Sequence, residues 1–260
     1  MVLEEIRKSL EIAKKDLKIQ FRFSYVGVLF EIFYPFMYFY IFILFIAFAG
    51  IAKFDPNYIT YLAVGMMMFQ IIYDLVDKIA WCFSSWESFS PNNLLSLPVS
   101  EISIITGKTI FAYFIGILRA LLIFFLALIA GAKFNINLLS FTVYFFSGTL
   151  IFVFLGLFLA GLWFIRRSFM NLIQKILVVV LFQVFGGVYF DPKVLPASVS
   201  WISDFVPVYL LNNAMRGALI NGATLNLDYI SVMLAWIIIL LPLSLKMFRF
   251  GRYRFNPEAG

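Results

Sequence analysis

Six long apolar runs, separated by charged loops, constrain the fold of this chain more than any other feature. They cover residues 24–50, 58–80, 108–131, 139–164, 171–190 and 229–247. Each run is close to or longer than the ~20 residues that cross a hydrocarbon core. Lipid offers no partner to backbone amides, and the runs lack the ten-residue alternation of a membrane barrel, so helices are predicted. The predicted fold is all-α, a polytopic membrane protein with six transmembrane helices.

The basic residues fall on alternate sides of these runs. Fifteen lysines and arginines lie in the head, the second and fourth loops and the tail, against four in the first, third and fifth loops. Because basic loops stay on the cytoplasmic side, both termini are predicted to be cytoplasmic. We expect a multi-pass protein of the inner (plasma) membrane, with a six-span domain over 24–247 and a cytoplasmic tail over 248–260.

Composition argues against several classes of function. The formal charge of +6 accompanies 63% hydrophobic residues, so we interpret it as a signal of topology and of contact with anionic membrane lipids, and we predict no nucleic-acid partner. The chain has one cysteine, Cys82, and no histidine, which removes the common zinc sites and the Cys-His and Ser-His catalytic arrangements. We therefore predict no metal, no catalytic residue and no cofactor bound by this chain.

The head, residues 1–23, is predicted to be an amphipathic helix at the inner membrane surface. Apolar residues recur there at helical spacing among charged ones, namely Leu3, Ile6, Leu10, Ala13 and Leu17. Two roles stay open, a simple orientation anchor and a contact with a partner subunit.

The second loop is longer than two antiparallel helices need, which predicts a docking element in it. Within the segment 84–100, Ser90 can cap a short helix, Pro91 can occupy its first position and Pro98 can end it. The predicted docking residues are Ser90, Pro91, Asn92, Asn93, Leu94, Leu95, Leu97 and Pro98. Next in the chain, Gly107 and Lys108 imitate the end of a phosphate-binding loop, but Ile102 stands where that motif needs glycine.

The fifth loop is predicted to dip into the membrane. Between 191 and 222, prolines separate apolar pieces that are too short to cross and too apolar for free solution. Re-entrant helices accommodate such pieces where protein or water covers their backbone. The alternative is a surface loop that rests on lipid headgroups.

One basic residue, Arg119, lies inside the third apolar run. A charge there costs at least about 3 kcal/mol unless it faces a partner or water. The candidate partners are Glu31, Asp74 and Asp77. A structural ion pair is favoured over a direct contact with substrate. Small residues at four-residue spacing predict close helix packing on two spans, with Ala112, Gly116 and Ala120 on the third and Gly156 and Ala160 on the fourth.

Three features together resemble the six-span membrane subunits of ATP-binding-cassette exporters of the second permease type. They are the order of six spans behind an amphipathic helix, the stretch LLSLPVSEISIITGK at 94–108, and FGGVYFDPKVLPASVSWISDFVPVYLLNNAMRGALI at 185–220. The resemblance implies that the 84–100 segment forms a coupling helix on a nucleotide-binding subunit. It also implies that the 191–222 segment forms an outer gate, with Pro196, Trp201, Pro207 and Arg216 as its marked residues.

The resemblance further implies the partners. ATP and Mg would bind two copies of a separate ATPase subunit, so this chain would not itself be an enzyme. A second permease chain, most simply in a homodimer, would complete the pathway for an amphipathic, lipid-linked or saccharide substrate. Two other classes remain: an ion-coupled carrier or channel that uses Asp74, Asp77 and Arg119, and a membrane enzyme acting on lipids.

Overall fold

A computed structural model describes residues 2–22, 56–83 and 100–255, together with Met37, Tyr40 and Ile41. Throughout these residues the regular structure is helical, with no strand. The all-α prediction is confirmed for this part of the chain. The first predicted span, 24–50, lies outside the described residues apart from the three isolated ones.

Eight α-helices are described in chain order. They are α1 (Val2–Arg22), α2 (Pro56–Ala80), α3 (Glu101–Ile129), α4 (Leu138–Ile165), α5 (Arg167–Lys175), α6 (Ala197–Ser200), α7 (Pro207–Ile220) and α8 (Leu227–Phe255). A π-helix, Ile176–Phe185, continues α5, and two 3-10 turns, Pro192–Val194 and Trp201–Phe205, flank α6.

Five of these helical stretches are long and apolar enough to cross a membrane, which fits a multi-pass membrane protein. They are Asn57–Ala80, Glu101–Ile129, Leu138–Ile165, Arg167–Phe185 and Leu227–Arg254. Each coincides with one of the second to sixth predicted spans. Their limits differ from the predicted ones, because capping and tertiary contacts extend helices beyond their apolar cores.

Side-chain caps explain two of these limits. The Ser100 hydroxyl accepts a hydrogen bond from the Ser103 amide at 3.1 Å, so α3 begins at Glu101 rather than at 108. The Asn137 side chain accepts from the Ser140 amide, also at 3.1 Å, and so begins α4. At its far end, α8 continues to Phe255, so most of the predicted tail is helical.

The five long helices alternate in direction, which defines two ends of the bundle. At one end α1 packs on the first half of α3, and we call this the α1 end. At the opposite end α7 packs on α2 and α4. α2 starts at the opposite end and finishes at the α1 end, and α3 runs back.

α2, the least apolar of the long helices, lies at the centre of the bundle. α2 has the lowest mean hydropathy of the five spans, yet 83% of its apolar core is buried, compared with 17% for α8. α2 packs against α3, α4 and α7, whereas α8 packs mainly against α4. Polar groups are tolerated in α2 because protein, rather than lipid, surrounds them.

Small residues bring the helices close together, as their spacing predicted. A β-carbon on Gly116 of α3 would lie 3.0 Å from the Ile71 Cα of α2. A β-carbon on Gly156 of α4 would lie 2.8 Å from the Ile79 Cβ. These contacts confirm the packing interpretation of both small-residue faces.

Candidate functional site

The predicted docking residues Ser90, Pro91, Asn92, Asn93, Leu94, Leu95, Leu97 and Pro98 lie outside the described residues. The structure does describe both flanks of that segment. On the first flank, Phe83 is only 2% exposed. Its ring centroid lies 5.3 Å from that of Phe164 and 5.5 Å from that of Phe248. This aromatic cluster binds the end of α2 to α4 and α8.

The second flank is held by α1. The hydroxyls of Ser100 and Ser103 both donate hydrogen bonds to the Glu5 carboxylate. These two hydrogen bonds lower the pKa of Glu5 from its ordinary value, because they favour the ionised carboxylate. Ser100, the first described residue after this segment, is therefore hydrogen-bonded to the head helix α1.

Gly107 and Lys108, which imitate the end of a phosphate-binding loop, instead contact α1 and help to hold it against α3. A β-carbon on Gly107 would lie 2.7 Å from the Ser9 carbonyl oxygen, so only glycine lets α1 approach this closely. The Lys108 ammonium lies 2.7 Å from the Asp16 carboxylate, with both side chains largely buried. Thr109 donates to its own helix, at the Ile105 carbonyl.

The docking face of α1 overlaps only partly with its apolar stripe. The buried residues are Ser9, Ala13 and Asp16, whereas Ile6 and Leu10 are 51% and 53% exposed. Of the stripe, Ala13 and Leu17 pack against α3. The close approach at Gly107 selects small side chains for the contact, and part of the stripe is left facing outward.

Two polar links join other helices at the α1 end. Arg252 of α8 forms an ion pair with Glu101 of α3, in which Nη1 donates to Oε2 at 3.0 Å and Nε lies 2.8 Å from Oε1. Gln174 of α5 donates to Asp77 and accepts from the Trp81 indole, each at 2.9 Å. These links join the ends of four spans in two pairs, α8 with α3 and α5 with α2.

The buried charge within the bundle is paired. Arg119 Nη1 lies 2.8 Å from Asp74 Oδ1, and the Asp74 side chain is only 1% exposed. Gln70 donates to the other Asp74 oxygen at 3.3 Å. Of the other predicted members, Asp77 belongs to the Gln174 network and Glu31 lies outside the described residues. The pair joins α2 to α3 at the middle of the bundle.

At the opposite end, Arg216 of α7 is the centre of the contacts. It is 6% exposed, and its guanidinium carbon lies 3.4 Å from the centroid of the Tyr61 ring. Nη2 donates to the Gly187 carbonyl at 2.6 Å and to the Tyr61 carbonyl at 3.3 Å. Gly65 makes room for this group, since a β-carbon there would lie 2.7 Å from Nη2.

Further hydrogen bonds secure the chain around Arg216. Asn212 donates to the Gly186 carbonyl at 2.7 Å, and Tyr209 donates to Asp191 at 3.0 Å. Gly187 has a φ of +66°, which a residue with a side chain rarely adopts. Sequence reasoning missed these supporting residues. The Gly-Gly pair was the only local signal of them.

The other predicted gate residues lie on two different elements. Pro207 starts α7. Pro196 precedes the short α6, and the Trp201 side chain is 56% exposed. The Trp201 indole donates to the Ser198 carbonyl within the same segment. The structure thus groups Pro207 with Arg216 on α7, while Pro196 and Trp201 belong to an exposed neighbouring turn.

Within the described residues, no group of His, Cys, Asp and Glu is arranged to hold a metal ion. The comparisons with known proteins add no identification, since no protein-family model matches the chain and no curated protein matches it. The function therefore has to be argued from the geometry of the two ends.

Proposed function

We propose that this chain is the membrane-spanning subunit of an ATP-driven exporter, of the second permease type of ATP-binding-cassette transporters. A separate ATPase subunit would bind ATP and Mg, and two copies of it would dock on two permease chains. The exported substrate would be amphipathic, lipid-linked or a saccharide. The support comes from the bundle and from the anchoring of its predicted coupling segment.

The observation that carries the proposal is the anchoring of both flanks of the 84–99 segment. Phe83 is packed between α4 and α8, and Ser100 is hydrogen-bonded to α1. A loop whose ends are free would absorb a push from a partner. Ends that are held by three helices would transmit it, since packed helices move as rigid elements.

The two flanking helices supply a route to the opposite end. α2 and α3 are joined at mid-bundle by the pair of Asp74 and Arg119. The first turns of α2 hold the Tyr61 carbonyl and ring, both of which contact Arg216. A movement of α2 driven at the α1 end would therefore alter the contacts of the proposed outer gate.

The proposed orientation places the α1 end in the cytoplasm. Most of the basic residues lie there, and both termini would be cytoplasmic in the plasma membrane. The 191–222 segment would then be outside, where α7 and the turn that carries Trp201 would form re-entrant helices. Exposed Val194 and Phe205, at 74% and 68%, would face headgroups.

The test is ATP hydrolysis by the chain in nanodiscs, alone and with the ATPase subunit encoded beside its gene. We expect activity that responds to this chain and that falls at least tenfold in Leu94→Asp and Leu95→Asp, because a charge disrupts apolar docking. The matched control is Val194→Asp, an apolar-to-acid change at an exposed site of the opposite end. An ATPase that neither binds the chain nor responds to it overturns the proposal.

A second candidate is an ion-coupled carrier, which the buried charges of Asp74 and Arg119 favour. In a carrier, Asp74→Asn would abolish ion-driven uptake without any ATPase. In an exporter, the same change would weaken the bundle and leave no ion dependence. Uptake by vesicles that contain only this chain, with and without an ion gradient, separates the two. The existing bonds of Asp74 to Arg119 and Gln70 favour a structural pair.

A further inference from the structure

The opposite end contains an open cleft of about 870 Å³ between α7, the start of α8 and the connection between them. Its lining includes Asn213, Asn221, Asn226, Tyr229, Asp228 and Arg216. We propose that this cleft binds a polyhydroxylated neutral ligand, namely the saccharide part of the exported substrate. This proposal rests on the exporter function and specifies its substrate class.

The cleft has a fixed shape, because hydrogen bonds hold its walls. The buried Tyr144 hydroxyl accepts a hydrogen bond from the backbone amide of Asn226 at 2.6 Å. The Ala223 amide donates to the Gly217 carbonyl at 2.9 Å, which ties the connection back to α7. Gly222, with a φ of +63°, turns the chain beside Asn135. A preformed site loses less entropy when a ligand binds.

The lining is suited to hydroxyl groups. An amide side chain both donates and accepts hydrogen bonds, as a sugar hydroxyl does, and three asparagines line this cleft. Asn221 and Asn226 are exposed, and Asn213 is half-buried. The Asn226 side-chain oxygen accepts from the Asp228 backbone amide and the Asn213 side chain hydrogen-bonds to Tyr209, so each keeps part of its amide for a ligand, and Asn221 has the most open amide of the three. The half-buried Tyr229 ring offers an aromatic surface for the C–H face of a sugar.

The charges of the cleft favour a neutral ligand. Its lining contains one basic residue and one acidic residue, Arg216 and Asp228. Arg216 Nη2 donates to backbone carbonyls and the guanidinium stacks on Tyr61, while the buried Nη1 has no hydrogen-bond partner among the described residues and can donate to a ligand hydroxyl. The two charges of the lining cancel, and an anionic ligand would meet the exposed Asp228. Acyl chains are disfavoured as well, because pockets for apolar ligands are lined mainly by apolar side chains.

Gly217 provides a variant that fills the cleft. It lies on α7 within the lining, and a β-carbon there would have a single neighbour, the Ala223 Cβ at 3.7 Å. Alanine therefore fits without strain, and leucine extends into the space that a ligand would occupy. Gly217→Leu is the blocking variant, and Gly217→Ala is its matched control. Asn213→Ala removes one amide without adding bulk.

The experiment measures glycan binding by the purified chain in nanodiscs, without the ATPase subunit. The probes are a panel of neutral and acidic oligosaccharides in solution, and the same sugars attached to lipids in the nanodisc. We expect neutral probes to bind. Gly217→Leu should abolish binding, Asn213→Ala should weaken it about tenfold through the loss of a hydrogen bond, and Gly217→Ala should bind normally.

Each result decides the proposal. Binding in solution indicates a free glycan as the source, and binding only from the bilayer indicates a glycolipid. Absence of binding by the whole panel overturns the proposal, as does binding of acidic probes alone or binding that Gly217→Leu leaves intact. The ATPase test of the coupling segment uses no glycan. Glycan binding without an ATPase response would therefore reject the exporter function and retain the cleft as a binding site.

Discussion

The two ends of the bundle are held together by different chemistry. At the α1 end, side chains from separate elements meet in pairs, such as Lys108 with Asp16 and Arg252 with Glu101. At the opposite end, one buried cation, Arg216, holds backbone carbonyls and an aromatic ring. The Arg252 pair is partly exposed and contributes little, whereas the largely buried Lys108 pair and the buried Arg216 cation cannot lose their partners without a large energetic cost. The α1 end is therefore held by several contacts of unequal strength, and the opposite end depends on one buried cation.

The backbone explains why an arginine is needed at the opposite end. The fifth span finishes in a π-helix and the turn at Gly186 and Gly187, after which the chain leaves the helix. Carbonyl groups at a helix end lack partners within the helix. Arg216 donates to the Gly187 carbonyl, and Asn212 donates to the Gly186 carbonyl. Buried carbonyls are thereby satisfied without a regular continuation of the helix.

The largest effect should come from Arg216→Met. Methionine keeps much of the apolar stem but leaves buried carbonyls without donors, and we expect a loss of about 3 kcal/mol in the free energy of unfolding. Thermal unfolding of the protein in detergent measures this loss. The control is Lys193→Met, a change at an exposed lysine of the same end. Equal stability of the two variants would show that Arg216 is not what secures this end.

Gly107→Ala should have the next largest effect, at the α1 end. Its β-carbon would lie 2.9 Å from the Ile12 Cβ and closer still to the Ser9 carbonyl. We expect a cost of about 2 kcal/mol from overpacking, and partial release of α1. Faster tryptic cleavage at the exposed Lys14 would report the release. Gly217→Ala, which adds the same methyl group where there is room, should leave cleavage unchanged.

A smaller effect is expected for Arg252→Gln. The Arg252 side chain is 43% exposed, so solvent screens its pair with Glu101. We expect a loss of about 0.5 kcal/mol that shrinks further in high salt. A double-mutant cycle with Glu101→Gln gives the coupling energy of the pair. A coupling energy as large as the stability lost in Arg216→Met would show that the Arg252 pair is as strong as the Arg216 contacts, contrary to the proposed difference between the two ends.

The smallest effect concerns pH and Glu5. Its pKa is lowered in the docked state by Ser100 and Ser103, with a minor contribution from Lys8. The docked form is thus favoured in full above the ordinary value of 4.5, and this advantage is lost as the pH falls through the lowered pKa. Cleavage of α1 by an acid-active protease should rise over that window. Glu5→Gln should show no such dependence, and a rise in that variant would implicate another group.

Features that involve one helix or a neighbouring pair of helices were predictable from the sequence. The second to sixth apolar runs all became long helices, because an apolar stretch of that length has few alternatives. The packing of Gly116 and Gly156 followed from their spacing alone. Arg119 was predicted to need a partner, and Asp74 provides it. These features depend on one helix or on a neighbouring pair.

Features that depend on three or more segments were not predictable. The docking face of α1 depends on its close approach to Gly107 on a helix far along the chain, which the apolar stripe of α1 does not encode. The contacts of Arg216 on α7 involve Tyr61 and Gly187, which lie far from it in the chain. The polar cleft needs α7, α8 and the loop between them to fold back on Tyr144.

By itself, the sequence determined that the chain forms long apolar helices, where most of its basic residues collect and which charge needs a partner. These properties follow from local hydrophobicity and from the energetic penalty of placing charge in lipid. Only the tertiary structure decided that Lys108 anchors the head helix, that Phe83 and Ser100 hold the flanks of the second loop, and that Arg216 holds the opposite end together. Each of these depends on close approach between helices, which periodicity within one helix does not encode.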